Sequence, residues 1–282
     1  MLWISYCPNQ VKKVLNYIKV IEEGLRHSRS VMCRTCGSHT PIYGNEGICY
    51  NCENLIVTER DSLITGDELA RMLDSYNKKI MDGDYADAIS EYESLLKKYD
   101  MPQYLYMNGI NYLKYSNYKV SQIRYDRAGF MEENSDYKKE SIDLFSQARL
   151  FFNKTITAAK QSLPEKDIAS DSALYLIFLS YMKLGDFRGG EYYLKKLMNL
   201  NNFLSDYSEI IFDSAIENYD SILKKCDLML KKGEFTFTLF YYVAFALFKK
   251  RKYKDAQNIL AALSKIIPNS SIDTLLDEIA LL

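Results

Sequence analysis

The sequence predicts a mainly α-helical protein made of repeated helical hairpins, with a small β module near its N-terminus. Three observations carry this expectation. A turn followed by an aromatic residue recurs at a near-constant interval from residue 83 onward. Only 5 prolines and 12 glycines occur in 282 residues, which leaves little material for long irregular loops. Two Cys-x-x-Cys pairs lie close together between Cys33 and Cys52, the pattern of a small β module stapled by a metal.

The first element is a helix. Pro8-Asn9 offers a start, with Asn9 as the capping residue, and Val11, Val14, Leu15, Ile18, Ile21 and Leu25 follow as an apolar stripe. The spacing predicts about 17 helical residues that pack on the rest of the protein. Cys7 and Cys226 stand among apolar residues and are expected to be buried free thiols.

The cysteine pairs come next. Cys33-Arg-Thr-Cys36 is followed by Gly37, and twelve residues separate Cys36 from Cys49-Tyr-Asn-Cys52. A gap of two residues lets both thiolates of a pair turn onto one cation, and two such pairs close a tetrahedral site around Zn²⁺. Gly44-Asn45-Glu46-Gly47 reads as a hairpin turn between strand residues Thr40, Ile42, Tyr43 and Ile48, with Leu55-Ile56-Val57 completing a small sheet. Iron or a redox dithiol are the alternatives. His27 and His39 are surplus to the ligand set. This segment resembles the zinc-ribbon or rubredoxin-like family, whose first knuckle is usually Cys-x-x-Cys-Gly. The second knuckle departs from it by carrying Glu53 where glycine is common.

From residue 69 onward the chain repeats. Gly83-Asp-Tyr85, Ser116-Asn-Tyr118, Gly185-Asp-Phe187, Glu217-Asn-Tyr219 and Arg251-Lys-Tyr253 place aromatics at steps of 33, 69, 32 and 34. One degenerate unit near Phe152 keeps the period constant. Within the units a small residue precedes a large one by four: Ala88 and Tyr92, Gly190 and Leu194, Ala256 and Leu260. The small side chain lets two helices approach, and the large one fills the space against the next hairpin. First helices carry Leu105-x₂-Asn108-Gly109-x₂-Tyr112, Leu174-x₂-Ile177-Phe178-x₂-Tyr181 and Val243-Ala244-x₂-Leu247, and Pro268 closes the last unit. These residues resemble the tetratricopeptide (TPR) family, whose unit is a helical hairpin of about 34 residues. The resemblance implies a TPR-like α–α solenoid behind the N-terminal zinc ribbon. Residues 137–162 read as one long helix closed by Pro164, 130–136 as a connecting loop, and Ile222 replaces the small residue of its unit. Domains are therefore expected at 1–30 (amphipathic helical segment), 31–62 (ribbon), 67–270 (repeats) and 271–282 (capping helix).

The family resemblance implies a concave face that binds a peptide or helix of another protein. On first helices, Tyr106, Tyr175 and Tyr241 are each followed eight residues later by Lys114, Lys183 and Lys249, a candidate groove for an acidic segment. Of the carboxylate clamp of some co-chaperone members only Asn77 is present. The expected role is a zinc-binding interaction scaffold. The alternative is a nucleic-acid or ribonucleoprotein accessory that touches RNA or DNA through Lys19, Arg26, Arg29 and Arg34.

Charge and missing motifs narrow the classes. Net charge is −1, with 7 Lys/Arg against 6 Asp/Glu over residues 1–66 and 29 against 31 beyond. General nucleic-acid affinity normally needs a basic excess. With two histidines, no Gly-rich phosphate loop and no Gly-x-Ser-x-Gly or His-Glu-x-x-His motif, no enzyme activity is expected. No apolar run approaches the roughly 18–20 residues of a membrane span, and the N-terminus lacks the basic region of a signal peptide. A reduced, cytoplasmic location is expected from the cysteine usage.

Overall fold

The computed structural model describes residues 8–57, 68–99, 101–128, 135–163, 169–200, 202–267 and 270–282. Cys7, Pro164, Pro268, most of the 130–136 connection and the side chain of Val11 lie outside the described residues. Twelve helices and four short strands occur among the described residues, so the protein is mainly α with a small β part. No described helix is long and apolar enough to cross a membrane.

The β part follows α1 (Pro8–His27) as β1 (Arg29–Met32), β2 (His39–Ile42), β3 (Glu46–Ile48) and β4 (Leu55–Val57). β1 pairs antiparallel with β2, matching Val31 to Thr40, and β3 pairs antiparallel with β4, matching Gly47 to Ile56. The turn of each hairpin is one Cys-x-x-Cys knuckle. The Gly44 turn, expected to join two paired strands, instead links one hairpin to the next. β1 has no alternating apolar pattern long enough to be seen in the sequence.

The helices follow as α2 (Glu68–Met81), α3 (Tyr85–Lys98), α4 (Pro102–Ala128), α5 (Ser135–Ser162), α6 (Ala169–Leu184) and α7 (Phe187–Met198). Then come α8 (Phe203–Ala215), α9 (Tyr219–Lys232), α10 (Phe237–Lys249), α11 (Tyr253–Leu263) and α12 (Ser270–Ala280). They pair as hairpins, and their first helices begin at residues 68, 102, 169, 203, 237 and 270, at steps of 34, 67, 34, 34 and 33. The double step belongs to α4 and α5, of 27 and 28 residues, which pack as one long hairpin. The expected turn at Ser116-Asn-Tyr118 is absent. α4 runs through it, because Ser116 is buried and donates to the Ser141 carbonyl of α5 at 2.8 Å.

The chain divides into two compact units. One holds residues 1–33, 39–63 and 201–282; the other holds 34–38 and 64–200. In the second unit tyrosines fill the helix seams. Tyr76 and Tyr92 meet at 4.8 Å between ring centroids, Tyr76 donates to Asn111 Oδ1 at 2.5 Å, and Tyr85 stacks on Tyr115. Tyrosine suits a seam because its ring is buried while its hydroxyl finds an acceptor.

In the first unit α1 packs on α11. Its buried face is Val14, Tyr17, Ile21 and Gly24, whereas Leu15 and Leu25 of the expected stripe are 59% and 44% exposed. The face is rotated because Tyr17 reaches across to α9. Its hydroxyl donates to Asp227 Oδ1 at 2.7 Å, and Lys13 holds the other carboxylate oxygen at 2.5 Å. Burial foremost, then the neighbouring Cys226 and Asp227, holds the Tyr17 hydroxyl firmly protonated. Cys226 is fully buried, and its thiol is likewise pushed up by burial, so it is an inert core residue. Asp227→Ala leaves the Tyr17 hydroxyl buried without its acceptor and is expected to cost about 1–3 kcal/mol in urea unfolding. Tyr17→Phe removes the donor itself while Asp227 keeps Lys13, and is expected to cost about 1 kcal/mol.

Candidate metal centre

Cys33 closes β1, Cys36 precedes β2, and Cys49 and Cys52 bracket the turn from β3 to β4. Each hairpin delivers a pair of sulfurs because the two intervening residues form the turn. In the second knuckle, Cys49 N–H bonds to the Asn54 carbonyl and Glu53 N–H to the Cys49 carbonyl, both at 2.9 Å. All four cysteines are buried, and their sulfurs lie within 4.8 Å of one another.

The geometry separates metal binding from disulfide formation. Cys33 Sγ and Cys52 Sγ, from different knuckles, are 3.7 Å apart. A tetrahedral ion with bonds of about 2.3 Å to sulfur sets neighbouring sulfurs about 3.8 Å apart, whereas a disulfide needs about 2.05 Å. Donors also face the sulfurs. Thr40 Oγ1 lies 3.5 Å from Cys49 Sγ, and Asn54 Nδ2 lies 3.3 Å from Cys52 Sγ. Such contacts stabilise thiolate charge around a bound cation. The set fits a tetrahedral thiolate metal, of which zinc and iron are the ordinary cases. His27 and His39 are exposed and take no part in the cluster.

Residues 34–38 and the second knuckle each rest on helices of their own unit. Residues 34–38 sit on α2 and α3: Tyr92 donates to the Thr35 carbonyl at 2.5 Å, and Ser38 Oγ lies 3.5 Å from Asn77 Oδ1. Asn77 thus serves the knuckle. Gly37, at φ +73°, lies so close to α2 that a Cβ there would be 2.6 Å from the Leu73 carbonyl oxygen. The second knuckle sits on α10, where Thr238 lies 3.4 Å from the Ile48 carbonyl and Tyr242 donates to Glu53 Oε1 at 2.7 Å. Glu53 holds the same left-handed backbone as Gly37, at φ +60°. The bond to Tyr242 gives the glutamate a role that glycine could not fill and offsets the roughly 1–2 kcal/mol of that conformation. Tyr207, fully buried close by, is kept protonated by burial first and then by the charges of Glu53 and Cys49.

Tyr92→Phe removes one bond to the first knuckle and strands the Thr35 carbonyl. The expected result is a loss of about 1–3 kcal/mol and faster metal release to a chromophoric chelator. The sequence pattern points to neither Tyr92 nor Tyr242 as a support, since both read as ordinary repeat aromatics.

The expected docking residues are placed differently. Tyr106 and Tyr175 are 0% and 2% exposed, so their rings belong to the core and line no groove. Tyr106 meets Phe152 of α5 at 5.7 Å. Tyr241 is partly buried against Tyr242 and Phe245; Lys114 and Lys183 are half-buried, and Lys249 is exposed over the Phe245 and Phe248 rings. In stacked hairpins both sides of a first helix meet other helices, so periodicity does not say which side remains open. Lys19, Arg26 and Arg29 are exposed and Arg34 is half-buried.

Comparison with protein-family models, curated proteins and solved structures returns no match.

Proposed function

We propose that the protein is a zinc-braced docking scaffold, in which a TPR-like helical array holds a segment of another protein. The observation that carries this reading is the closed thiolate set whose surrounding loops are spent on contacts to helices. Four protein sulfurs complete a tetrahedral shell and leave no position for a substrate or a reactive water. Zinc bound there would supply cohesion, holding two hairpins too small to bury a core of their own. The residues do the rest. Tyr92 and Gly37 seat one knuckle, and Tyr242 and Thr238 seat the other. The steps of 34, 34 and 33 between first helices support the TPR-like reading, as do the contacts of α8 with α10 and of α10 with α12.

The test is affinity purification of the tagged full chain from native extract, in parallel with and without nuclease treatment, followed by cross-linking mass spectrometry. A protein partner cross-linked to the helices supports the scaffold. Recovery of nucleic acid alone, lost steeply with salt, replaces it with the nucleic-acid reading. Turnover by the purified protein rejects both.

A further inference from the structure

In the second unit two lysines lie over one tyrosine ring. Lys160 of α5 lies 5.6 Å from the Tyr181 ring centroid and 5.7 Å from that of Tyr193, and its ammonium donates to the Tyr181 hydroxyl at 3.2 Å. Lys196 of α7 lies 4.9 Å from the Tyr192 ring and 5.7 Å from the same Tyr193 ring. Tyr181 and Tyr193 stack at 5.6 Å, and Tyr192 stands edge-on to Tyr193 at 5.1 Å. Two ammonium groups on one ring, each at 5.7 Å, are no more than about 11 Å apart.

Neither ammonium has a carboxylate partner among the described residues. Other lysines of this unit do: Lys195 pairs with Glu191 at 2.7 Å, and Lys119 with Glu140 at 2.7 Å. The tyrosines hold the two charges in place without neutralising them. The Tyr181 hydroxyl accepts from Lys160, which leaves its own proton available as a donor.

We propose that Lys160, Lys196 and the hydroxyl of Tyr181 form a binding site for an acidic, extended segment of a partner protein. This rests on the docking reading and names the chemistry and the place of the contact. Alternate side chains of an extended segment lie about 7 Å apart, within the upper limit that the shared ring sets on the separation of the two ammonium groups. A nucleic acid is the poorer occupant. Stacking of bases needs open ring faces, but Tyr193 is buried and covered by both lysines, and of these rings only Tyr192 is largely exposed, at 56%.

The test measures anisotropy of a fluorescein-labelled oligoglutamate titrated with the full-length, metal-loaded protein. Saturable binding is expected, weakened roughly tenfold by Lys160→Gln with Lys196→Gln at an unchanged melting temperature. Lys195→Gln removes the same charge from the same helix but an ion-paired one, and is expected to change affinity less than about twofold. Absence of saturable binding overturns the proposal. So does an equal loss in Lys195→Gln, which would mean bulk charge, or tighter binding of labelled oligothymidylate. A natural partner that is captured equally by the Lys160/Lys196 variant removes this surface while leaving the scaffold reading intact.

Discussion

Cys36→Ser is expected to lose the metal and to lower the melting temperature by about 10 °C or more, while most of the far-UV helical signal survives. The two hairpins bury only a few side chains of their own, Val31, Ile42, Ile48 and Ile56 chief among them. Strands of three and four residues cannot hold register alone. Structural zinc in comparable modules contributes on the order of 10 kcal/mol to folding, and one serine in place of a thiolate removes most of that. The loss extends past the ribbon because its loops hold helices through the Tyr92–Thr35 and Tyr242–Glu53 bonds. The helices retain their own hairpin contacts and survive. Circular dichroism with thermal unfolding checks both halves of this result. An unchanged melting temperature would mean that the ribbon is folded without metal.

Gly37→Ala is the second large effect, expected at about 2–5 kcal/mol. Two costs combine at this residue. A left-handed backbone, φ +73° here, costs a side-chain-bearing residue about 1–2 kcal/mol. The new Cβ would also sit 2.6 Å from the carbonyl oxygen and 2.9 Å from the carbonyl carbon of Leu73, backbone atoms of α2 that cannot swing away. Either the knuckle lifts or the helix shifts, at about 1–3 kcal/mol. Gly83→Ala is the control. Gly83 has φ +80°, but nothing lies within 4 Å of the place its new methyl group would take, so only the backbone cost of about 1 kcal/mol remains. Equal losses in the two variants would show that packing of the knuckle on α2 contributes nothing.

The parts legible in the sequence are those with a single physical cause. Two cysteine pairs at knuckle spacing have few uses other than one tetrahedral site, and the structure brings their sulfurs together. The repeated turn signature has a cause as well. Gly83, Gly185, Glu217 and Arg251 each take a left-handed backbone, at φ +80°, +71°, +61° and +59°, which ends one helix and turns the chain into the next. Ser116 has the same neighbours in sequence but bonds across to α5, and its helix continues. Nothing local distinguishes the two outcomes, because the Ser141 carbonyl that decides it is 25 residues away. The same limit hides the direction of α1. Counting aliphatic residues favours Leu15 and Leu25, whereas the buried face is set by Tyr17 meeting Asp227, 210 residues on. Of the tyrosine–lysine ladder, Tyr106 and Tyr175 are core residues, whose recurrence follows from packing. Lys160 and Lys196 stand on different helices, and only the fold brings them to one ring.

The most direct test of the central claim is native mass spectrometry of the full chain purified without added metal, with elemental analysis of the same sample. The expected result is one zinc per chain and four cysteines that alkylate only after denaturation with a chelator. A metal-free chain with Cys33 or Cys36 joined to Cys49 or Cys52 by a disulfide would contradict it, and so would iron in place of zinc.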